Sequence, residues 1–405
     1  MRNYLLLALV VIVLSCQDTK SKHTLKPGNY RAVLEVQDNK QLPFTFKVIS
    51  PQSLEIYNAN EVIGVDEISY KNDSVYIKMP VFAEYIVASI DDNHHLAGRF
   101  INPDRDRAVP FRAEFGKQKR FYPGTEAAHD ISGVWEAVFS EGLPEDEYKG
   151  KGIFEQNGQN VTGTIRTATG DYRFLEGIVD GNTLKLSTFD GTHAFFFKAQ
   201  LTDSTMEGTF YSGNHFKESF VAQRNPDFEL PAASDLTFIK EGYDRFNFSF
   251  PNIEGEQISL SDQRFEDKVV IVQIMGSWCP NCLDESRYFS QFYKEHADDD
   301  LEFVALAFEY AKTKASAFKR IQRLKTSIGI DYPILLAQYG SADKQAAQEK
   351  LPMLNQVLSY PTTIFIDKEG NVRKIHTGFN GPATGDKYLE FKDEFEDFVA
   401  ELLAE

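Results

Sequence analysis

The sequence predicts a multidomain chain: an N-terminal antiparallel β region built from two related repeats, followed by a C-terminal α/β unit. Three observations carry this. From Gly28 to Arg224, short alternating segments are separated by turn residues and no helical period runs through them. From Lys268 onward, continuous apolar runs rich in β-branched residues alternate with amphipathic stretches. Between the two, Asn225 to Phe246 carries Pro226, Pro231 and the segment Ala232-Ala233-Ser234-Asp235, which break regular structure. A length of 405 residues fits two to four domains at roughly 100–200 residues each. The 33 Phe and 18 Tyr suit half-buried pleated surfaces. A formal net charge of −17 repels phosphate backbones, so nucleic acid is excluded as a partner, and the acidity reads as solubility.

The N-terminus carries Arg2, an uninterrupted apolar run from Leu5 to Leu14, and then Ser15 and Cys16. This is the layout of a secretory signal, too short for a comfortable membrane span. Val13-Leu14-Ser15-Cys16 resembles the lipobox of bacterial lipoproteins. That resemblance implies a signal peptide over 1–15, cleavage before Cys16, and acylation of Cys16. An ordinary secretory signal with a chance cysteine, or an uncleaved anchor, is the alternative. Several acyl chains on one residue hold a protein stably on a membrane, since each buried methylene contributes ~0.8 kcal/mol. Residues 16–27 are mostly polar and read as a flexible tether.

The β region reads as two repeats, 28–120 and 130–225. Gly28-Asn29-Tyr30-Arg31-Ala32-Val33 matches Gly133-Val134-Trp135-Glu136-Ala137-Val138 at an offset of 105 residues. Leu96-Ala97-Gly98-Arg99-Phe100 matches Met206-Glu207-Gly208-Thr209-Phe210 at 110, and Phe111-Arg112-Ala113 matches Phe220-Val221-Ala222 at 109. Asn157-Gly158, Asp180-Gly181 and Asp190-Gly191 are hairpin turn signals. Each copy should hold roughly six to eight strands, as two small barrels or two halves of a larger one. Closure would remove the exposed edges of a long meander.

Residues 226–241 read as a linker, and 242–405 as the α/β unit. Lys268 to Met275 and Leu301 to Phe308 are buried strands. Pro280 to His296, Thr313 to Ser327 and Tyr388 to Leu403 are helices. Thr362 to Ile366 and Asn371 to His376 form a hairpin around Asp367-Lys368-Glu369-Gly370.

The chemistry lies in Gly276-Ser277-Trp278-Cys279-Pro280-Asn281-Cys282, which follows a buried strand and opens a helix. Two cysteines three apart at a helix start have Cα atoms roughly 5 Å apart, within disulfide reach. The first cysteine faces unpaired backbone N–H groups at the positive end of the helix dipole, where a thiolate is stabilised. Pro280 suits the first turn because its missing N–H would be unpaired anyway. A zinc half-site needs two more ligands, and only scattered histidines are available. A structural disulfide would not need the Trp-Cys-Pro setting. Cys16 is the third and last cysteine. His94-His95 and His376 read as turn, packing or surface residues, so no metal is expected, and Asp298-Asp299-Asp300 reads as a helix end or loop.

Residues 242–405 resemble the thioredoxin superfamily, and within it the TlpA-type disulfide reductases. Besides the cysteine motif, Ser359-Tyr360-Pro361-Thr362-Thr363 resembles the family segment with a cis proline facing the cysteine pair, and Phe248-Ser249-Phe250-Pro251-Asn252-Ile253-Glu254-Gly255 resembles that branch's N-terminal hairpin. The resemblance implies a thioredoxin-like fold and a Cys279–Cys282 pair that alternates between dithiol and redox-active disulfide without further cofactor. It implies substrate contacts at Trp278, Pro280, Tyr360 and Pro361. It implies protein disulfides as substrates, a membrane thiol carrier as electron donor, and a place in the bacterial cell envelope facing the periplasm, at the outer rather than the inner membrane. A plain turn proline is the alternative reading of Pro361. Where thioredoxin has a buried aspartate this chain has Gln273, which cannot take a proton. The TlpA-type branch often has a glutamate three residues after the second cysteine. Glu285 occupies that place, either as a proton-handling group or as an ordinary solvated residue. Two other functions stay open. A thiol peroxidase is one, although no threonine closely precedes Cys279. The other is a β-barrel binding lipoprotein with an inactive redox domain.

Overall fold

The computed structural model describes residues 23–405; the signal segment 1–15 and Cys16 lie outside the described residues. The first repeat forms a nine-stranded antiparallel sheet in which the first strand, Gly28–Glu35, pairs with both Gln41–Ser50 and the last strand, Arg107–Phe115. Glu61–Val65 and Glu67–Lys71 are sequence neighbours that do not pair, so the sheet curls into a barrel-like form with one open seam at Asp66. The second repeat closes. Gly133–Phe139 pairs with Phe216–Arg224, and Tyr148–Asn157 pairs on to Asn160–Thr167 to complete the ring.

The repeat is visible at the level of register. Tyr30 and Ala32 are buried on one strand, Trp135 and Ala137 on its counterpart. Ala32 lies opposite Ala113 and Ala137 opposite Ala222. Leu96 and Met206 face the same two alanines from the next strand. The Tyr30 hydroxyl donates to the Lys26 carbonyl at 3.2 Å, and the Trp135 indole N–H donates to the Ile131 carbonyl at 2.8 Å, each four residues back. One pattern of alternating burial, used twice, dictates one meander twice.

The barrels meet through Phe189, which stacks on Phe44 at 4.3 Å and meets Phe100 edge-on at 5.1 Å. Beside it the buried Arg120 donates to the Ser187 carbonyl at 2.8 Å and to Asn58 Oδ1 at 3.1 Å. One continuous apolar core runs from the first barrel through this contact into the C-terminal unit, whereas the second barrel's interior is a separate core.

The C-terminal unit is a five-stranded sheet in the order Ile334–Gln338, Leu301–Phe308, Val269–Met275, Thr362–Ile366, Val372–Thr377. The first three are parallel, Thr362–Ile366 runs antiparallel to them, and Val372–Thr377 pairs antiparallel with Thr362–Ile366. Helices α1 (Pro280–Glu295), α2 (Lys314–Ile328), α3 (Lys344–Lys350) and α4 (Asp386–Ala404) flank it. Thr313 and Ser316 form a capping box that starts α2, and Gly329 ends it in the left-handed conformation. Helices α1 and α4 gather Phe289, Phe292 and Phe395 around Phe303.

Two expected loose segments pack instead. Of the tether, Leu25 is buried against the first barrel and its N–H bonds the Tyr70 hydroxyl at 3.1 Å. Of the linker, Thr237 is buried and accepts from the Thr377 hydroxyl at 2.8 Å, while Lys240 N–H donates to the Met353 carbonyl at 2.8 Å. Polar composition hid the single apolar or hydroxyl side chain that each segment buries.

Candidate active site

The strand Val269–Met275 is buried along its whole length and delivers the chain to the start of α1. Cys279 sits at the cap position, before Pro280 in the first turn, and its Sγ accepts the Cys282 N–H at 3.2 Å. The Cys279 thiol also lies 3.4 Å from the Tyr360 carbonyl, and the Tyr360–Pro361 peptide is cis. The cysteines are both free thiols, with Cys279 7% exposed and Cys282 fully buried. Burial pushes the Cys282 thiol well up, and its hydrogen bond with Cys279 and the charge of that neighbour add to this.

Glu285 is fully buried one turn beyond Cys282. Its carboxylate accepts from Gln273 Nε2 and from the Thr363 hydroxyl, each at 2.8 Å. Burial raises its pKa to about 8, against the lowering effect of those two donors. Gln273 therefore holds the acid in place: its own oxygen accepts from Ser286 at 3.0 Å.

Trp278 is only half-exposed. Its indole N–H donates to the Phe308 carbonyl at 2.9 Å, and its ring meets Tyr310 at 4.6 Å and Tyr360 at 5.7 Å. The rest of the ring is covered by Arg105 of the first barrel, whose guanidinium lies 5.2 Å from it and 3.9 Å from the Tyr310 ring. On the opposite side the second barrel sends in the turn Thr167–Asp171. Asn281 Nδ2 donates to the Asp171 carbonyl at 3.3 Å and the Ser359 hydroxyl to the Thr169 carbonyl at 2.8 Å. Gly378 (φ +80°) passes so close that a Cβ there would sit 2.8 Å from the Thr169 carbonyl carbon. The Asp171 carboxylate accepts the Gly381 N–H at 2.7 Å.

Beneath this turn lies a buried charge cluster. Arg173 pairs with Asp284 of α1, with Glu61 of the first barrel at 2.9 Å and with Asp190 at 3.6 Å. One cation thus ties all three units together next to the cysteine motif. A second buried acid, Glu309, accepts from Ser277 N–H at 2.8 Å and the Ser277 hydroxyl at 2.7 Å, and burial raises its pKa to about 7.

Among these, sequence reasoning brought together Cys279, Cys282, Glu285, Trp278, Pro280, Tyr360 and Pro361, which the fold gathers at one end of the sheet. It missed Arg105, Asp171, Arg173, Asp284 and Glu309. Glu309 carried a readable signal, an acid at the end of the apolar strand beside the motif; the others become neighbours only through docking between units. His376 is buried beside Phe391, with its pKa lowered to about 4 chiefly by burial. His95 accepts the Phe115 N–H at 3.0 Å. Among the described residues no group of three or more His, Cys, Asp or Glu side chains is placed to hold a metal ion.

A cysteine pair at a helix start, facing a proline loop on a mixed five-stranded sheet, defines a thioredoxin-like redox module. Residues 221–375 match the AhpC/TSA family. The thioredoxin-like protein YneN of Bacillus subtilis is 30% identical over 141 residues, spanning 35% of this chain and 73% of YneN. The thiol-disulfide oxidoreductase ResA of the same organism is 31% identical over 140 residues, spanning 35% of this chain and 69% of ResA. Among solved structures, a thiol-disulfide oxidoreductase from Bacteroides fragilis is 19% identical with a TM-score of 0.28, spanning 37% of this chain and 99% of that one. The chain belongs to the thioredoxin-like thiol-disulfide oxidoreductases of the TlpA type.

Proposed function

We propose that the chain reduces disulfides of extracytoplasmic proteins through the Cys279/Cys282 dithiol, while tethered to a membrane by acylated Cys16. The observation that carries this is Cys279 Sγ, which accepts a helix N–H and lies against the Tyr360 carbonyl, with a second thiol one turn behind it. Cys279 as thiolate attacks one sulfur of the substrate disulfide. A Cys279–substrate bond forms, the substrate S–S bond breaks, and the released thiolate takes a proton. Cys282 then loses its proton, with Glu285 as candidate base, and attacks Cys279. The second substrate thiol leaves, and the two electrons of the dithiol now reside in the substrate. The cysteine pair carries these electrons without further cofactor.

A membrane thiol carrier returns electrons to the Cys279–Cys282 disulfide. Backbone and side chains of Trp278, Pro280, Tyr360 and Pro361 line the substrate's approach. The lipobox-like Val13-Leu14-Ser15-Cys16 supports envelope placement facing the periplasm, at the outer membrane. No helix among the described residues is long and apolar enough to cross a membrane. Insulin-disulfide reduction by the full chain tests the proposal. Turnover of insulin with none of hydrogen peroxide supports it. Peroxide turnover alone makes it a peroxidase, and inertness in both makes the β region the working part.

A further inference from the structure

Arg105 projects from the turn joining the strands Leu96–Asn102 and Arg107–Phe115 of the first barrel, and lies over Trp278 and Tyr310. Trp278 immediately precedes Cys279, so whatever approaches that thiol over the tryptophan passes this guanidinium. The other approach, past Asn281, Ser359 and Gly378, is filled by the Thr167–Asp171 turn. The seam between the first barrel and the redox module is otherwise laced with ion pairs. Arg320 binds Asp104 through two nitrogens at 2.9 and 3.0 Å, Lys312 pairs with Asp106, and Arg323 with Glu67. Arg105 and Arg107 have no carboxylate within salt-bridge distance among the described residues. The nearby buried Glu84 is already engaged by Asn102 at 2.7 Å and Thr192 at 2.6 Å. In a chain of net charge −17, an Arg105 guanidinium with no carboxylate partner, lying over the tryptophan next to the reactive thiol, is an exception that packing alone does not require.

A guanidinium stacked on aromatic rings keeps its N–H edge free, and that edge matches a carboxylate. We propose that Arg105 is a specificity-determining residue, which receives an acidic side chain flanking the target cysteine of the substrate. The proposal rests on the disulfide-reductase reading above and deepens it by naming a substrate class: disulfides with Asp or Glu beside the attacked sulfur. Arg107 supports the local positive field. His215 faces both arginines and is held neutral by burial and by their charge, with its pKa near 4, so it adds none.

The test uses the reduced full chain and two cyclic disulfide peptides identical except for Glu or Gln beside the first cysteine, in single-turnover reduction. The expected result is a Glu-over-Gln rate ratio of about fivefold at low salt, the upper end of the scale of a solvent-exposed ion pair. The ratio should fall toward one as salt rises to roughly 0.5 M, where screening shortens to a few ångströms. Arg105→Gln should bring the ratio to about one, and Arg105→Lys should keep part of it. Equal rates for the two peptides in the unmodified chain, a ratio indifferent to salt, or a ratio that survives Arg105→Gln each overturn the proposal. Failure to reduce either peptide overturns the reductase reading itself. The salt series needs no variant, so it decides the matter even if a substitution disturbs folding.

Discussion

Cys282 and Glu285 are both buried, burial disfavours the charged form of each, and a charge on Glu285 further disfavours the Cys282 thiolate. Resolution of a mixed disulfide needs Cys282 deprotonated, so an acid that titrates near 8 one turn away is poised to take that proton. Cys279→Ser should reduce substrate turnover to the blank. Cys282→Ser should stall as a mixed disulfide that mass spectrometry detects. Glu285→Gln should slow resolution by about 10²-fold and remove the inflection near pH 8 from the rate profile. An unchanged profile between about pH 6 and 9, the range around a thiol pKa, removes Glu285 from the chemistry. The same residue makes a stability prediction. Native Glu285 keeps its proton up to about 8 whereas the unfolded residue releases it near 4.5. Its contribution is therefore fully present below about 4.5 and is lost as pH rises through about 8. Denaturant midpoints of the parent chain should fall relative to Glu285→Gln across that window, and parallel curves contradict the assignment. The cysteines and Pro361 were legible because motif and local context coincide. The burial of Glu285 was not, since one turn of helix fixes its distance to Cys282 but not whether a sheet covers it.

Among the elements, four strands and three helices of the redox module were readable because each carries its own period, including the helix opening at Thr313 and the hairpin after Pro361, whereas the edge strand Ile334–Gln338 and the short α3 are too brief for a period to bound them. Register matches between the repeats were readable too, since alternating burial repeats at nearly constant offset. The Thr167–Asp171 turn was not readable: its partners Asn281, Ser359 and Gly378 lie more than a hundred residues away. It nonetheless makes a sharp prediction. Gly378→Ala places a Cβ against the Thr169 backbone at a positive φ, so it should cost about 1–3 kcal/mol in unfolding free energy. It should also lift the turn, and faster alkylation of Cys279 in native conditions would register that. A variant that loses stability without faster labelling would mean the turn does not limit access.

For the whole molecule, Arg173 is the point where both barrels and α1 converge on one buried cation. Arg173→Met leaves Asp284, Asp190 and Glu61 without their counter-charge, and removing one partner of a buried ionic cluster costs about 3–5 kcal/mol. Urea unfolding followed by tryptophan fluorescence should show that loss; a cost below about 1 kcal/mol, the level of exposed pairs, would mean that water or a shift in protonation replaces the arginine.

The open seam of the first barrel has a consequence for how such a chain came to be. Two copies of one meander descend here with different fates. The second is sealed and keeps its core to itself, while the first stays split between Glu61–Val65 and Glu67–Lys71. At that split, Glu61 reaches Arg173 and Glu67 reaches Arg323 of α2, and the first copy's core runs on into the redox module. Incomplete closure is thus the socket into which the catalytic unit is grafted. A chimera carrying the sealed copy in both positions would keep the Thr167–Asp171 contact but lose the shared core and the Glu61 and Glu67 ion pairs that the split provides.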